Sequence, residues 1–265
     1  MQANIFKDYN FLNKKYTNII VFVGSDIDYG SKIIQILIDK KIPINAICGE
    51  SAKKILTLIY KNNLNNVPII NLKKPWQAKK FFTLINSHSL GINGGLEVMV
   101  PDIVLDLLPI INCHPSFLPY NRGSHHSFWT IINESPAGAT LHWMVKEIDA
   151  GPVIDQTQIK WNFETTAESL QKQCMKACLI LIKKNIKRIM QNKACISYPK
   201  KGGSLHYKKD IIKASTVNEK QKISGRYLLK LIQATRHTNH GFYVQNENKI
   251  YFIRAEVLKV VRIKS

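Results

Sequence analysis

Ile111-Asn112-Cys113-His114-Pro115-Ser116-Phe117-Leu118-Pro119-Tyr120-Asn121-Arg122-Gly123 marks the place where an apolar run gives way to polar chemistry. Ile110 and Ile111 are β-branched, and they hand over at once to Asn-Cys-His-Pro. A buried strand that ends this way presents polar side chains at the carboxyl edge of its sheet, where open α/β sheets hold their ligand crevices. Asn112 offers an amide donor and His114 a titratable imidazole, two positions apart and so on one side of a strand. A second strand, Gly138-Ala139-Thr140-Leu141-His142, leads on to Ile148-Asp149-Ala150-Gly151. An amide, an imidazole and a carboxylate can together stabilise an oxyanion and move a proton.

Toward the N-terminus the pattern alternates between strand and helix. Asn18 to Val23 reads as a buried strand ending at Gly24-Ser25, and apolar positions 33, 34, 37 and 38 give a helical face over Gly30 to Lys40. Ile42–Cys48, Val67–Ile70 and Ser87–Asn93 follow as strands; Ala52–Tyr60, Trp76–Ile85 behind Pro75, and Pro101–Leu107 as helices. After Asp149 come a strand, Pro152–Ile159, and a long helix from Thr166 to Gln191 with a capping start at Thr165, Thr166 and Glu168. Its apolar residues 170, 174, 175, 178, 179 and 182 form one packing stripe. Such alternation predicts an α/β fold, a Rossmann-like, mostly parallel sheet with flanking helices. Gly24, Gly30, Gly91, Gly94 and Gly95 miss the dinucleotide fingerprint, and no Gly-Lys-Ser phosphate cradle occurs, so the sheet is not expected to bind NAD.

From Tyr198 the texture changes. Pro199-Lys200-Lys201-Gly202-Gly203 is a turn-rich linker, a helix is expected over Gly225–Ala234, and Phe242–Gln245 with Ile250–Val257 reads as a hairpin. The expected organisation is an N-terminal extension over 1–17, a catalytic domain over 18–197, and a small α+β accessory region over 198–265. A terminal hairpin needs cover for its apolar face, and a second copy of the chain supplies it, so a homodimer is expected.

Composition sets the bounds. The chain has 265 residues, 45% of them hydrophobic, and a formal charge of +20. No apolar run is long enough for a membrane span, and the first residues lack the apolar core of a secretory signal. Five cysteines in no zinc-site spacing read as reduced thiols of a cytoplasmic protein. Such basicity suits tRNA, lipid or an anionic small substrate. The lysines are dispersed rather than gathered in an aromatic-interleaved stripe, which favours a solvated surface over a nucleic-acid interface.

The motifs Asn112-Cys113-His114-Pro115-Ser116-Phe117-Leu118-Pro119, Arg122-Gly123, Gly138-Ala139-Thr140-Leu141-His142 and Ile148-Asp149-Ala150-Gly151 resemble, in this order, the folate-dependent formyltransferases. Leu118-Pro119-Tyr120-Asn121-Arg122-Gly123 and the later Gly203-Ser204-Leu205-His206-Tyr207-Lys208-Lys209-Asp210 resemble the sugar N-formyltransferases within that family. The resemblance implies transfer of a formyl group from 10-formyltetrahydrofolate, with no metal, to the amine of a dTDP-linked amino-deoxy sugar destined for surface polysaccharide such as lipopolysaccharide O-antigen. Asn112, His114 and Asp149 would be catalytic, Asn112 donating to the oxyanion, His114 doing likewise or taking the amine proton, and Asp149 holding His114 or relaying a proton through water. Leu90, Gly91, Ile92 and Asn93, with Met144, Val145, Lys146, Glu147 and Ile148, would line the folate pocket. Tyr120, Asn121, Arg122 and His125 would face the substrate, Arg122 taking the diphosphate unless it serves as a loop ion pair. His125 and His126 could instead cap the next helix, and Trp129 and Trp143 read as core. The alternatives are a methionyl-tRNA formyltransferase-like enzyme, whose tRNA-binding barrel exceeds this tail, and a basic nucleic-acid-binding protein. The expected partners exclude nucleic acid and membrane.

Overall fold

The computed structural model describes residues 14–198, 202–237, 241–258 and 260. Most of the expected extension, residues 1–13, and the Pro199-Lys200-Lys201 part of the linker lie outside them. In chain order the first elements are β1 (Asn18–Val23), α1 (Ile27–Asp39), β2 (Ile44–Cys48), α2 (Leu56–Lys61), β3 (Ile69–Ile70), α3 (Lys79–Thr83), β4 (Ser89–Gly94), α4 (Asp102–Leu107) and β5 (Ile110–His114). Then come β6 (Arg122–Gly123), α5 (His126–Asn133), β7 (Ala137–Trp143), β8 (Val153–Ile159) and α6 (Ala167–Met190). The tail holds β9 (Leu205–His206), α7 (Asp210–Ala214), β10 (Thr216–Asn218), α8 (Gly225–Thr235), β11 (Phe242–Asn246) and β12 (Lys249–Ile253).

Seven strands make one sheet in the order β3-β2-β1-β4-β5-β7-β8. The pairings of β1 with β2 and β4, β2 with β3, and β4 with β5 are all parallel. The order reverses at β1 and β4, so the loops after these strands splay apart and open a crevice at their carboxyl ends. Gly24 follows β1 at that point, where a Cβ would sit 1.6 Å from the Gly95 carbonyl oxygen. Only glycine permits so close an approach of two backbones. Helix α1 starts at Asp26, whose carboxylate accepts from the Tyr29 N–H at 3.0 Å, and it buries Ile33, Ile34 and Leu37.

Two compact units emerge from the contacts: residues 14–113, 141–155 and 179–198, and residues 114–140, 156–178 and 202 onward. In the first, Ile20, Phe22, Ala46, Phe81, Val104, Leu108 and Ile110 make one core. Burial of each large side chain contributes about 1.5–3 kcal/mol. In the second, Phe128, Ile131 and Ala137 pack with Ala167, Leu170, Cys174 and Ala234, and Val217, Leu231 and Phe242 form a smaller cluster. Residues expected to stand apart from 198 onward thus share a unit with residues 114–140 and 156–178. Tyr16, placed in the extension by the sequence, is buried, and its N–H donates to the Met190 carbonyl at 2.8 Å.

Several elements are shorter than their sequence suggests. Ala52–Ile55 and Pro75–Gln77 are 3-10 turns ahead of α2 and α3. The tail also has a third strand: β10 pairs parallel with β11, and β12 pairs antiparallel on its other side. No helix among the described residues is long and apolar enough to cross a membrane.

Candidate functional site

Asn112 sits near the carboxyl end of β5, in register with Asn93 on β4. Its Nδ2 lies 3.3 Å from His142 Nε2 and donates at 3.4 Å to Asp149 Oδ1. The carboxylate is in turn 3.5 Å from His142 Nε2. His142 is 1% exposed and Asp149 12% at their side chains, so the cluster is nearly dry. His142 Nδ1 is 2.9 Å from the Trp143 carbonyl oxygen. A carbonyl only accepts, so Nδ1 carries the proton, and in the neutral ring Nε2 is left to accept from Asn112. The Asn112 amide is thereby aimed, its two hydrogens divided between an imidazole and a carboxylate, through contacts long enough to yield to a better acceptor.

Asp149 holds this position with φ at 48°. The left-handed region costs most side chains energy, and asparagine and aspartate bear it best. Asn121 (φ 55°) and His125 (φ 58°) share that conformation, so three residues singled out by sequence occupy strained backbone.

His142 Nε2 lies 3.5 Å from Asp149 Oδ1, a histidine the expectation did not name beside Asp149. His114, 6% exposed, has Nε2 3.1 Å from the Asn121 carbonyl oxygen and its ring edge-on to His126 at 5.6 Å. A carbonyl only accepts, so His114 Nε2 carries a proton.

Asn121 departs from its expected contact with substrate. It is 0% exposed, and Nδ2 donates to Thr130 Oγ1 at 2.9 Å and to Ser135 Oγ at 2.7 Å, while Oδ1 accepts from Ser204 Oγ at 3.1 Å. Its amide is spent on holding the loop. Tyr120 is 38% exposed and open to a ligand. Arg122 is half-buried, and among the described residues its guanidinium makes no ion pair, which removes the loop ion pair as its role. His125 is the N-cap residue of α5 but makes no side-chain capping bond; with His126, Gln171, Ile211 and His237 it lines a cavity of about 220 Å³.

Of the residues expected to line the folate pocket, Leu90 and Ile92 are 0% and 1% exposed and belong to the core, with Gly91 buried between them. Asn93 closes its own turn, accepting from the Gly95 and Leu96 N–H groups. The loop from Met144 to Ile148 is open. Lys146 pairs with Asp102 at 2.9 Å on the surface, Glu147 is exposed, and Val145 and Ile148 are half-buried.

The residue missed from sequence is His142. All of β7 is buried, and a histidine in a fully buried strand needs partners for both ring nitrogens. Its place in Gly138-Ala139-Thr140-Leu141-His142 carried that signal. The buried thiols Cys48 and Cys174 are pushed up to about 12 by burial and are unreactive. Among the described residues no three His, Cys, Asp or Glu side chains converge to hold a metal ion.

Residues 98–184 match the formyl transferase family. The chain is 28% identical over 192 residues to the bifunctional polymyxin resistance protein ArnA of Wigglesworthia glossinidia brevipalpis, a match covering 66% of this chain and 28% of that one. It is 22% identical over 179 residues to the dTDP-4-amino-4,6-dideoxyglucose formyltransferase of Mycobacterium tuberculosis, covering 67% and 76%. Among solved structures, a 4-N formyltransferase from Francisella tularensis superposes with a TM-score of 0.77 at 23% identity, over 92% of this chain and 99% of the other. An N-formyltransferase from Helicobacter canadensis, in complex with folinic acid and dTDP-3-aminofucose, gives 0.64 at 18%, over 88% and 84%. These likenesses show a shared fold.

Proposed function

With a formyl transferase domain at residues 98–184, we propose that this chain transfers a formyl group from 10-formyltetrahydrofolate to the amine of a nucleotide-linked amino-deoxy sugar, dTDP-linked in the first instance. The observation that carries this reading is the aimed Asn112 amide in its dry cluster with Asp149 and His142. The dTDP-amino sugar and folinic acid named for the similar proteins support the choice of substrates.

The folate, when bound, supplies an activated formyl carbon; the rest falls to the chain. The open Met144–Ile148 loop would hold the heterocycle through its main chain. Asn112 would turn an N–H toward the formyl oxygen, where negative charge gathers as the amine attacks. One preorganised donor at such a position is worth on the order of a hundredfold or more in rate. Asp149 would keep that amide in place and accept a proton, directly or through water. His114 follows two positions along the same strand, its Nε2 against the Asn121 carbonyl, and would serve as a second donor or as the base that takes the amine proton. Tyr120, Arg122 and His125 would face the nucleotide sugar.

The tail favours a homodimer. In the sheet ordered β10-β11-β12, β12 is an edge, and it exposes Ile250, Tyr251 and Phe252 at 67%, 48% and 47%. An apolar edge of that kind invites a second strand, and a second copy closes it symmetrically.

Incubating the protein with 10-formyltetrahydrofolate and a panel of dTDP- and UDP-linked 3-amino and 4-amino sugars tests the reading. Formamido-sugar product, detected by mass, is the expected result. Faster formylation of methionyl-tRNA than of any nucleotide sugar overturns it.

A further inference from the structure

At the amino ends of β1 and β2 a cavity of about 330 Å³ opens beside the ends of two helices. Lys40 and Lys41 follow α1, Lys187 lies in the last turn of α6, and all three line it. Its apolar wall is Tyr16, Ile42 and Met190, which are 5%, 8% and 8% exposed. Tyr16 and Ile42 stand just ahead of β1 and β2, whereas Asn112 stands near the carboxyl end of β5. Since β1, β2, β4 and β5 run parallel, the cavity and the Asn112 cluster lie at opposite edges of the sheet.

Among the described residues none of these lysines forms an ion pair, and no acid lines the cavity. Asp39, the neighbour of Lys40, accepts instead from Gln35 Nε2 at 2.8 Å. Each helix C-terminus carries about half a negative charge, so the two ends account for about one lysine of the three. The remaining two positive charges match one phosphate near neutral pH. The end of α1 also keeps a cation where the backbone disfavours it. The Lys41 N–H donates to the Ile38 carbonyl and the Ile42 N–H to the Leu37 carbonyl, each at 2.9 Å, a helix stop whose left-handed residue is ordinarily glycine. Lys41 fills it at φ 56°. Helix α6 stops in the same way with Asn192 at φ 55°, a residue that bears this region better. Strained backbone at α1 thus coincides with a charge aimed at the cavity.

We propose that this cavity binds a phosphate-bearing small molecule of about nucleotide size, its phosphate among Lys40, Lys41 and Lys187 and its less polar body on Tyr16, Ile42 and Met190. Ammonium groups on flexible stems close round a phosphate as point charges. A volume of about 300 Å³ is enough for a small ligand. The site is separate from the one proposed for formyl transfer and stands without that reading.

Calorimetric titration of the full chain at low salt with AMP and, separately, with adenosine tests the site. AMP should bind and adenosine, lacking the phosphate, should not. The double variant Lys40→Gln/Lys187→Gln should weaken AMP about tenfold or more. Lys176→Gln/Lys183→Gln removes the same charge from exposed positions of α6 outside the cavity and should bind AMP as the wild type does. Lys41→Asn should raise the melting temperature, because asparagine bears the left-handed backbone better, and yet weaken AMP about threefold to tenfold. The site is wrong if the wild type does not bind AMP, if adenosine binds as tightly, or if Lys40→Gln/Lys187→Gln binds AMP as the wild type does. Equal weakening in the two double variants also overturns it, since net charge and not the cavity would then hold the anion. Should Lys40→Gln/Lys187→Gln fail to fold, Lys41→Asn decides. Sedimentation with phosphatidylglycerol vesicles separates two sources of the phosphate. Pelleting that Lys40→Gln/Lys187→Gln abolishes assigns a lipid headgroup, and protein left in the supernatant assigns a free phosphate compound.

Discussion

Two asparagines of one short stretch, Asn112 and Asn121, have opposite fates. Asn112 is half-buried, and its side-chain contacts are 3.3 and 3.4 Å long. Asn121 is sealed, with contacts of 2.7 to 3.1 Å that occupy both amide hydrogens and the carbonyl oxygen. The same side chain is loosely held in one place and a fastener in the other. What separates them is the hold: both amide hydrogens of Asn121 are committed at short distances, while Asn112 is aimed but loosely held. Hydrogen bonds at the long end of the range are the ones a substrate can replace.

The difference predicts which property each substitution damages. Asn112→Ala should cut kcat by on the order of a hundredfold or more with a nearly unchanged melting temperature; a variant that keeps its rate and loses stability would erase the contrast. Asn121→Ala leaves Thr130, Ser135 and Ser204 hydroxyls short of a partner and should cost about 1–3 kcal/mol in denaturant titration. Its effect on rate should follow from the displaced His114, whose imidazole leans on the same residue's carbonyl. His142→Ala frees the Asn112 amide from one of its two anchors, and kcat should fall about tenfold with KM for both substrates little changed, as a positioning role requires. His142→Gln, which can accept from Asn112 again, should recover part of that loss.

The smallest effect belongs to Glu134. Its carboxyl is held down to about 2 by hydrogen bonds from Arg226 and Lys230 and by their charges, tying the end of α5 to α8. A depressed folded pKa stabilises above the ordinary carboxylate range and is lost as pH falls through the folded value. The gap in melting temperature between wild type and Glu134→Gln should therefore be steady at pH 6 and close between about pH 4.5 and 2. A gap that persists at the acid end would mean Gln disturbs packing rather than charge.

The sheet was legible because its strands are apolar runs bounded by glycine and polar residues; Ile19 to Val23 and Ile110 to Ile111 are buried as their composition demands. Helices α2 and α3 came out short because their apolar spacing says nothing about whether an end is capped. Around the candidate site, the abrupt polarity at the end of β5 marked Asn112, and Asp149 entered through the Ile148-Asp149-Ala150-Gly151 motif. His142 was not, since an imidazole within a buried run looks like packing until its neighbours are known. The sealed state of Asn121 depends on Ser204, far along the chain, and no local pattern announces such a partner. The parallel β6–β9 pairing, with Gly123 opposite His206, was hidden for the same reason: two residues are too few to show a period.

That pairing has a consequence for how the molecule is made. Gly203 adopts φ of 86°, and a Cβ there would meet the Pro119 carbonyl oxygen at 2.1 Å, so the late strand threads a slot that the early loop leaves for it. On the ribosome, Asn121 and Arg122 emerge long before Ser204 and Leu205. Contacts between residues distant in sequence form late and set the pace of folding. Until the last quarter of the chain has been synthesised, the loop that aims His114 lacks its clamp, and the growing chain is shaped before it is competent.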